Sequence, residues 1–341
     1  MKPLVSILIP AFNAQPWIAD TIKSALAQTW PAKEIIIVVA DASTDQTLLI
    51  ARRFTSKTVS VVIRPHRGAA AARNEAFSMC QGDYIQWLDA DDLLAPEKIA
   101  RQMQAVKQCH SKHTLFSSAW GHFMYRTSKA KFSPTPLWCD LSPEEWLLRK
   151  MGQNLHMQPA TWLISRELAE AAGPWDTRVS VDEDGEYFCR LVLASDGIRF
   201  IPDAKVFYRV SGSGSYTYRA ISDRDGRLHS IQLQAGHLLS LSDCERARSA
   251  CLSYLQTSLI HFYPERMDIV KQLEQLAVTL GGRLQMPRLR WKYALIGRIF
   301  GYGLGKRAQV LLPHLKSSLL RFWDRTMSQM ESRAGTRIHA A

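Results

Sequence analysis

The chain has 341 residues, of which 46% are hydrophobic and 22% are charged, a balance that excludes wholesale disorder. This length can bury the core of one large domain or two smaller ones. The net charge of +12 is uneven, because residues 226–341 carry 17 basic and seven acidic side chains and the rest of the chain is nearly neutral.

The apolar stretch of the N-terminus, MKPLVSILIPAFN, is short and lacks a small-residue cleavage site, so it predicts a core strand and not a signal peptide. No segment reaches the roughly 18 uninterrupted apolar residues of a membrane span. The six cysteines form no CxxC pair and are expected to be free thiols. We therefore expect a cytoplasmic protein, either soluble or peripheral on the inner face of the cytoplasmic membrane.

Short apolar runs alternate with helical patterns through the first half of the chain. The patterns predict strands at 5–9, 34–39, 59–63 and 84–88, and helices at 17–28, 46–54, 69–80 and 96–108. This alternation predicts an α/β fold with a mostly parallel sheet flanked by helices. Ligands bind beyond the carboxyl ends of such strands, where Asn13, Asp41, Asp89 and Asp91 fall.

The pattern from 110 to 180 is harder to assign. Further along, helices are predicted at 165–172 and 184–194, and two short strands at 199–201 and 206–210. Beyond residue 222 the pattern is helical to the end of the chain.

Acidic residues follow two of the predicted strands. Asp89 and Asp91 can address one hard cation such as Mg²⁺ or Mn²⁺, although an acidic turn is the alternative. Asp41 can accept a hydrogen bond from a nucleotide base or ribose, or it can cap the next helix.

Two further motifs lie at helix starts. Gly68–Asn74 opens a helix whose N-terminus suits phosphate, with Arg73 able to contact a nucleotide or a carboxylate, or to form a structural ion pair. Asp182-Glu183-Asp184 offers a general base, but an acidic first turn of a helix is the alternative interpretation.

In combination, these segments resemble the large family of inverting glycosyltransferases, family 2, that includes cellulose, chitin and hyaluronan synthases and bacterial polysaccharide and O-antigen transferases. The resemblance covers about residues 3–215. It is carried by six blocks in the family's order: VSILIPAFN at 5–13, SALAQTW at 24–30, EIIIVVADASTD at 34–45, GAAAARN at 68–74, GDYIQWLDADD at 82–92, and GPWD at 173–176 with DED at 182–184.

The resemblance implies a GT-A fold with a helical C-terminal extension, and transfer of a sugar from a nucleotide-diphosphate donor, expected to be a UDP-sugar, to a hydroxyl of a glycan or lipid-linked acceptor. It implies a catalytic domain at 1–220, with a nucleotide-binding half at 1–108 and an acceptor half at 109–220, before a basic helical region at 221–341. The implied roles are base and ribose contacts by Pro10, Phe12 and Asp41, a nucleotide contact by Arg73, ribose or metal binding by Asp89, binding of Mn²⁺ or Mg²⁺ by Asp91, general-base catalysis by Asp184, and an acceptor-side position for Glu183.

The chain departs from the family's pattern at three places. Ala40 replaces the first aspartate of an Asp-Asp pair and Ala42 a glycine, while Asp41 is retained. Tyr208-Arg209 is followed by Val210-Ser211, where many relatives carry a histidine, so a histidine ligand is in doubt. The QxxRW segment of processive synthases has no clear match, which favours single addition over polymerisation.

The C-terminal third explains the charge. Residues 281–323 contain no Asp or Glu, and a helix after Pro313 is predicted to align the apolar side chains of Leu315, Leu319, Phe322, Trp323 and Met330. Such basic and aromatic helices suit an anionic membrane surface. The alternative is a helix packed on the catalytic domain with a solvated basic face.

Three other functional classes are less consistent with the sequence. A nucleotidylyltransferase would carry a Gly-rich loop after the first strand, but residues 10–13 contain no glycine. A nucleic-acid-binding protein would spread basic charge over the folded domain, whereas residues 121–225 carry 13 basic and 14 acidic side chains. A catalytically inactive relative would not be expected to retain all four aspartates at 41, 89, 91 and 184.

Overall fold

A computed structural model describes residues 2–109, 111–212 and 223–338. Its larger sheet contains β1 (Val5–Ala11), β2 (Lys33–Ala40), β3 (Val59–Arg64), β4 (Tyr84–Trp87) and β8 (Ile164–Ser165), in the order β3-β2-β1-β4-β8. The first four strands are parallel and β8 is antiparallel to β4. The four predicted strands and the α/β class are thus confirmed.

Helices cover this sheet because their apolar faces must be buried with it. They are α1 (Ile18–Leu26), α2 (Thr47–Arg52), α3 (Ala69–Met79) and α4 (Lys98–Lys107), close to the predicted positions. The continuous apolar run of β2 is buried from Ile35 to Ala40, as expected for a parallel strand with both faces covered. Gly82 permits the close approach of β4 to β1, since a Cβ there would lie 2.3 Å from the Ser6 hydroxyl.

A second sheet has the order β5-β9-β6-β7, with strands β5 (Leu93–Leu94), β6 (Thr114–Phe123), β7 (Lys131–Phe132) and β9 (Gly197–Arg209). The prediction of two short strands at 199–201 and 206–210 was wrong. They form one strand, β9, that pairs with β6 across an irregularity at Ser118 and Ala119. Strand β6 was missed because its apolar run is buried and shows no alternation.

Three helices complete the first part of the chain: α5 (Pro143–Gly152), α6 (Arg166–Ala172) and α7 (Glu183–Ala194). Ser142 caps α5 and Ser165 caps α6, each accepting a hydrogen bond from a backbone N–H three residues on. Asp182 precedes α7 in a left-handed conformation, with φ of 58°.

The remaining described chain is helical, as predicted. It comprises α8 (Arg224–Leu241), α9 (Glu245–Ser258), α10 (Met267–Thr279), α11 (Trp291–Phe300) and α12 (Tyr302–Ile338). Helices α8 to α10 contribute to the same hydrophobic core as the sheets, and that core extends to Leu280. The predicted domain boundary at residue 220 stays a prediction.

The last helix differs from the prediction. It was expected to begin after Pro313, but α12 begins at Tyr302 and continues through Pro313. Among the described residues, no helix is long and apolar enough to cross a membrane.

Candidate active site

The site lies at the carboxyl edge of the larger sheet, where the loops after β1, β2 and β4 meet. The loops after β1 and β2 are joined by hydrogen bonds, including one from the Thr44 backbone N–H to Asn13 Oδ1 at 2.8 Å. The Asn13 backbone adopts φ of 47°, which turns the chain sharply after Pro10 and Phe12. The loops that follow β1 and β2 are thereby held together at one cleft.

Phe12 and Asp41 come together through His66. The Phe12 ring stacks on His66 with centroids 4.2 Å apart, and Asp41 Oδ1 accepts a hydrogen bond from the His66 backbone N–H at 3.0 Å. Asp41 itself remains exposed, while Pro10 on β1 is half-buried. The structure therefore groups the three residues predicted to hold the base and ribose. His66 also belongs to this group, although no sequence motif predicted it.

Arg73 links the two halves of the site. Its Nη2 donates to Asp89 Oδ1 at 2.8 Å and its Nη1 to Glu183 Oε1 at 3.0 Å. The Arg73 side chain is only 5% exposed. Burial alone would lower the pKa of Arg73, but the nearby carboxylates raise it instead, so the guanidinium is permanently charged. Arg73 thus joins the loop after β4 to the start of α7, 110 positions from Arg73 in the sequence.

An aromatic stack supports this guanidinium. The Arg73 carbon Cζ lies 4.4 Å from the ring centroid of Trp175, which in turn stacks on Tyr187 at 4.0 Å. Asn74 fixes Trp175 by donating to its carbonyl and accepting from its backbone N–H, both at 2.8 Å. Asn74 and Trp175 belong to two of the motifs that carried the resemblance, although no role was predicted for either.

Asp184 is half-buried at the start of α7. Burial raises its pKa to about 8, and the negative charges of Asp182 and Glu183 add to that effect. The Asp182 carboxylate lies over Gly185, where a Cβ would approach it to 2.5 Å, so this close packing requires glycine. Such a carboxyl group can take up and release a proton near neutral pH.

Glu183 is directed at Arg73. Its side chain is 6% exposed and accepts from the guanidinium, and the acceptor-side position that the resemblance implies stays a prediction. Burial raises its pKa, while Arg73 favours the ionised form. The buried ion pair sets the position of the first turn of α7, and hence of Asp184.

The loop after β4 carries three aspartates in different surroundings. Asp89 faces Arg73, and its side chain is 28% exposed. Asp92 is buried, accepts from the Arg209 backbone N–H at 2.7 Å and from Gln158, and its pKa is raised well above its usual value by burial. Asp91 lies between them and is half-buried. Burial, then the charge of Asp89, raises its pKa to about 6, and Ser211 donates a hydrogen bond to it.

Arg209 organises this loop from the second sheet. Its Nε donates to the Asp91 carbonyl oxygen at 2.7 Å, and its guanidinium lies 4.4 Å from the rings of both Trp17 and Phe123. Ser211 occupies the region where relatives carry histidine and contacts Asp91. Among the described residues, no three His, Cys, Asp or Glu side chains are grouped as a metal site by themselves.

The C-terminal helix reaches the edge of the same cleft. Asp324 of α12 accepts from Arg126 Nε at 2.7 Å and from the Tyr125 backbone N–H at 2.9 Å, and the Tyr125 ring lies 5.3 Å from Trp17. The apolar side chains predicted to align on this helix are exposed, with Leu319 at 72% and Phe322 at 73%. The helix nevertheless packs on the catalytic domain through Asp324, so membrane attachment and packing on the domain both stay predictions.

Together, the parallel sheet and its acidic carboxyl edge define an α/β enzyme with a paired-carboxylate site. Residues 6–171 match the family model described as "Glycosyl transferase family 2", so the chain contains a domain of that family. The resemblance seen in the sequence and the glycosyltransferase class are confirmed.

Two curated relatives place the chain among bacterial transferases. A poly(ribitol-phosphate) beta-glucosyltransferase of Bacillus spizizenii is 34% identical over 325 residues, 93% of this chain and 48% of the relative. A putative teichuronic acid biosynthesis glycosyltransferase, TuaG, of Bacillus subtilis is 41% identical over 110 residues, 31% of this chain and 43% of the relative. The chain thus spans less than half the length of either.

Two solved structures share the fold. S. aureus TarS 1-349 in complex with UDP-GlcNAc superposes with a TM-score of 0.64 at 17% identity, covering 90% of each chain. The mannosyltransferase PcManGT from Pyrobaculum calidifontis, in complex with GDP-Man and Mn²⁺, has a TM-score of 0.50 at 17% identity, covering 91% of this chain and 88% of the other. At these identities the likeness supports the fold alone.

Proposed function

We propose that this protein is an inverting glycosyltransferase that moves a sugar from a nucleotide-diphosphate donor, a UDP-sugar, to a hydroxyl group of a glycan or lipid-linked acceptor. The observation that carries the proposal is the Arg73 bridge between Asp89 and Glu183. Through this bridge, the carboxylates of the donor loop and the carboxyl group of Asp184 share one cleft. Direct displacement at a sugar carbon needs both at once.

In the proposed reaction, the Asp184 carboxylate accepts the proton of the acceptor hydroxyl as its oxygen attacks the anomeric carbon. The bond from that carbon to the diphosphate oxygen breaks on the opposite face, so the configuration inverts. A raised pKa makes Asp184 a stronger base than an ordinary aspartate while leaving a substantial ionised fraction near pH 8. Glu183 and Arg73 act by positioning Asp184 and Asp89.

The donor pocket is proposed to lie between Phe12, His66 and Asp41. Phe12 and His66 supply an aromatic edge, and Asp41 an exposed carboxylate that can accept from a base or ribose. Complexes of the TarS structure with UDP-GlcNAc and UDP support a uridine nucleotide. The printed names of the relatives support a cell-envelope polymer as the acceptor.

Asp91 and Asp89 are proposed to hold Mn²⁺ or Mg²⁺. Their chemistry fits, because both ions prefer carboxylate oxygens and accept water and phosphate oxygens as the remaining ligands. Asp92 is committed to Arg209 and Gln158, which leaves the two aspartates before it for the ion. When bound, such an ion stabilises the negative charge of the departing diphosphate.

The proposal is tested by nucleotide release from a panel of UDP-, GDP- and other nucleotide sugars. Asp91→Ala is expected to reduce donor turnover by at least about 10²-fold, and EDTA should do the same to the wild type until Mn²⁺ or Mg²⁺ is added. The exposed Asp203 on β9 provides the control, Asp203→Ala. Full activity of Asp91→Ala in EDTA would contradict the metal assignment, and no turnover of any donor by the wild type would contradict the function.

We further propose that helices α11 and α12 attach the protein to an anionic membrane surface. Their exposed side chains include Trp291, Phe300, Leu311, Leu315, Leu319, Phe322 and Trp323. Exposed basic residues are interspersed with them, including Arg288, Arg290, Lys292, Arg298, Arg307 and Lys316. Apolar insertion and attraction to anionic lipids, the latter about 1 kcal/mol per basic residue, would act together.

A further inference from the structure

Four side chains that the proposed mechanism does not use form one cluster, three of them on the second sheet and the fourth in the segment after α5. The Trp120 ring lies 4.8 Å from His122, 5.1 Å from His156 and 5.8 Å from Tyr208, and His122 lies 5.4 Å from Tyr208. Trp120 and His122 share a face of β6, and Tyr208 pairs with His122 on β9. We name this group the aromatic-histidine cluster.

The cluster is connected through neighbouring residues to the proposed donor loop and to the segment that carries the proposed base. Tyr208 directly precedes Arg209, which contacts both Asp91 and Asp92. His156 lies two residues before Gln158, which donates to Asp92. On the other side, the charge of Asp182, two residues from Asp184, acts on the His156 imidazole. These connections make the cluster a candidate surface for the acceptor.

The two imidazoles are accessible and neutral. His122 and His156 are both exposed to solvent, yet burial lowers the pKa of each. Both therefore stay neutral at pH 7, and a neutral imidazole offers one donor and one acceptor. Trp120 is buried beneath them and holds the rings in place.

We propose that Trp120, His122, His156 and Tyr208 form the acceptor subsite, and that this subsite takes an uncharged polyhydroxyl segment, a sugar ring or an alditol chain. The inference rests on the proposed function. Paired donors and acceptors match vicinal hydroxyl groups, whereas phosphate recognition favours Arg or Lys. The charge of Lys150 acts on His156, but the Lys150 ammonium donates its hydrogen bond to the Gln234 side-chain oxygen at 2.5 Å.

Imidazole NMR of protein labelled with ¹⁵N-histidine tests the subsite without requiring turnover. Ribitol, methyl β-glucoside and inorganic phosphate are the probes, titrated past the Kd of about 1 mM expected of a few hydrogen bonds. The neutral probes should shift the His122 and His156 signals and leave His113, which lies at the far end of β6, unchanged. Phosphate should move none of the three.

Steady-state kinetics provide the second measurement, with whichever neutral probe the wild type glycosylates. His122→Ala and His156→Ala should each raise the KM for that acceptor about tenfold, the effect of one lost hydrogen bond of about 1.4 kcal/mol, with less than a twofold change in the KM for the donor. His113→Ala is the matched control and should change neither constant.

Three results would overturn the subsite: no shift of either imidazole with any neutral probe, larger shifts with phosphate than with polyols, or equal changes in the two KM values. The proposed function can fail separately. If the wild type releases no nucleotide from any donor while the neutral probes still shift both imidazoles, the cluster binds polyols but the transferase assignment falls.

Discussion

At the scale of single residues, the site depends on how burial divides charge among neighbouring carboxyl groups. Arg73 pairs with both Asp89 and Glu183, while Asp184 has no cation at hydrogen-bonding distance among the described residues. Burial, with the charges of Asp182 and Glu183, raises the pKa of Asp184 to about 8. The same arrangement that makes Asp184 a base therefore costs stability when it ionises.

Asp184→Asn is expected to lower kcat by about 10²–10⁴-fold, because the amide keeps the shape of the side chain but cannot accept a proton. Nucleotide affinity, measured by calorimetry with UDP, should stay within about twofold of the wild type. A variant that lost UDP binding and kept its kcat would move Asp184 from the acceptor side to the donor site.

The stability of the same variant should depend on pH. The folded pKa of Asp184 is about 8, above its unfolded value of 3.8. Between these two pH values the native state holds a proton that the unfolded state has lost, so the native state loses stability as pH rises from one to the other. Asp184→Asn removes this penalty. In EDTA its Tm should exceed the wild-type Tm by at least about 3 °C at pH 8.5, with a much smaller difference at pH 5. Asp203→Asn is the exposed control, and an equal gain at both pH values would exclude the ionisation of Asp184 as the cause.

Arg73→Lys should be poorly tolerated although the charge is kept. One ammonium cannot reproduce the planar fork that holds Asp89 and Glu183, and it would leave a buried carboxylate partly unpaired. We expect a fall in kcat/KM of about 10²-fold or more together with a lower Tm. Arg64→Lys, at the half-exposed pair with Glu75, is the matched control and should change either quantity little. Wild-type kinetics for Arg73→Lys would show that the bridge is dispensable.

At the scale of elements, a buried ion pair holds the second half of helix α12 to the catalytic domain, while Lys306 contacts Tyr263 and Glu265 near the start of the helix. Arg126 pairs with Asp324, whose side chain is 10% exposed, and with Glu331, whose side chain is 56% exposed. The buried partner also accepts backbone hydrogen bonds from Tyr125 and Arg126, so it fixes the helix to the end of β6. Tyr125 in turn packs near Trp17, beneath Arg209.

Asp324→Asn is expected to release α12, since the amide keeps some hydrogen bonds but loses the charge that pairs with Arg126. Amide hydrogen exchange in residues 314–331 should rise at least about tenfold, with a smaller rise in the loop at 124–126 and little change near Lys306, which has its own contacts. Glu331→Gln removes the exposed partner of the same arginine and should have little effect. Unchanged exchange in Asp324→Asn would mean that other contacts hold the helix.

At the scale of the whole molecule, apolar surface is divided unequally. The core described by the structure extends to Leu280, while α11 and α12 expose a series of large apolar side chains. This surface lies on the segment that also carries the basic excess of the chain. Contiguous exposed apolar surface of this kind marks an interaction site.

Leu319→Ser combined with Phe322→Ser should reduce binding to anionic vesicles at least about tenfold in a flotation assay, because each burial contributes roughly 1.5–3 kcal/mol. Val278→Ser, at an equally exposed apolar residue of α10, is the control. Wild-type binding should weaken in high salt and with neutral lipid. A wild type that fails to float with anionic vesicles at low salt would contradict membrane attachment.

The sequence by itself determined the α/β fold, the four parallel strands and the family, because these follow from local patterns. Apolar runs of strand length and glycine-rich or acidic turns are read directly from consecutive residues, and Asp41, Asp89 and Asp91 are predictable because carboxyl ends of parallel strands share an edge. The amphipathic face of α12 was also visible, although the helix was predicted to begin after Pro313, whereas it begins at Tyr302 and continues through the proline.

Only the tertiary structure decided which groups meet. Arg73 and Glu183 are 110 residues apart, and nothing local in either segment shows that the Arg73 guanidinium pairs with Glu183. Nor does it show that the pKa of Asp184 is raised to about 8. The contacts of Trp120 with His122 and Tyr208 likewise depend on the register of β6 against β9, and His156 reaches Trp120 from a third segment. Pairings of this kind depend on chain segments that are distant in sequence. The pKa shifts depend on burial, which arises only when those segments pack together.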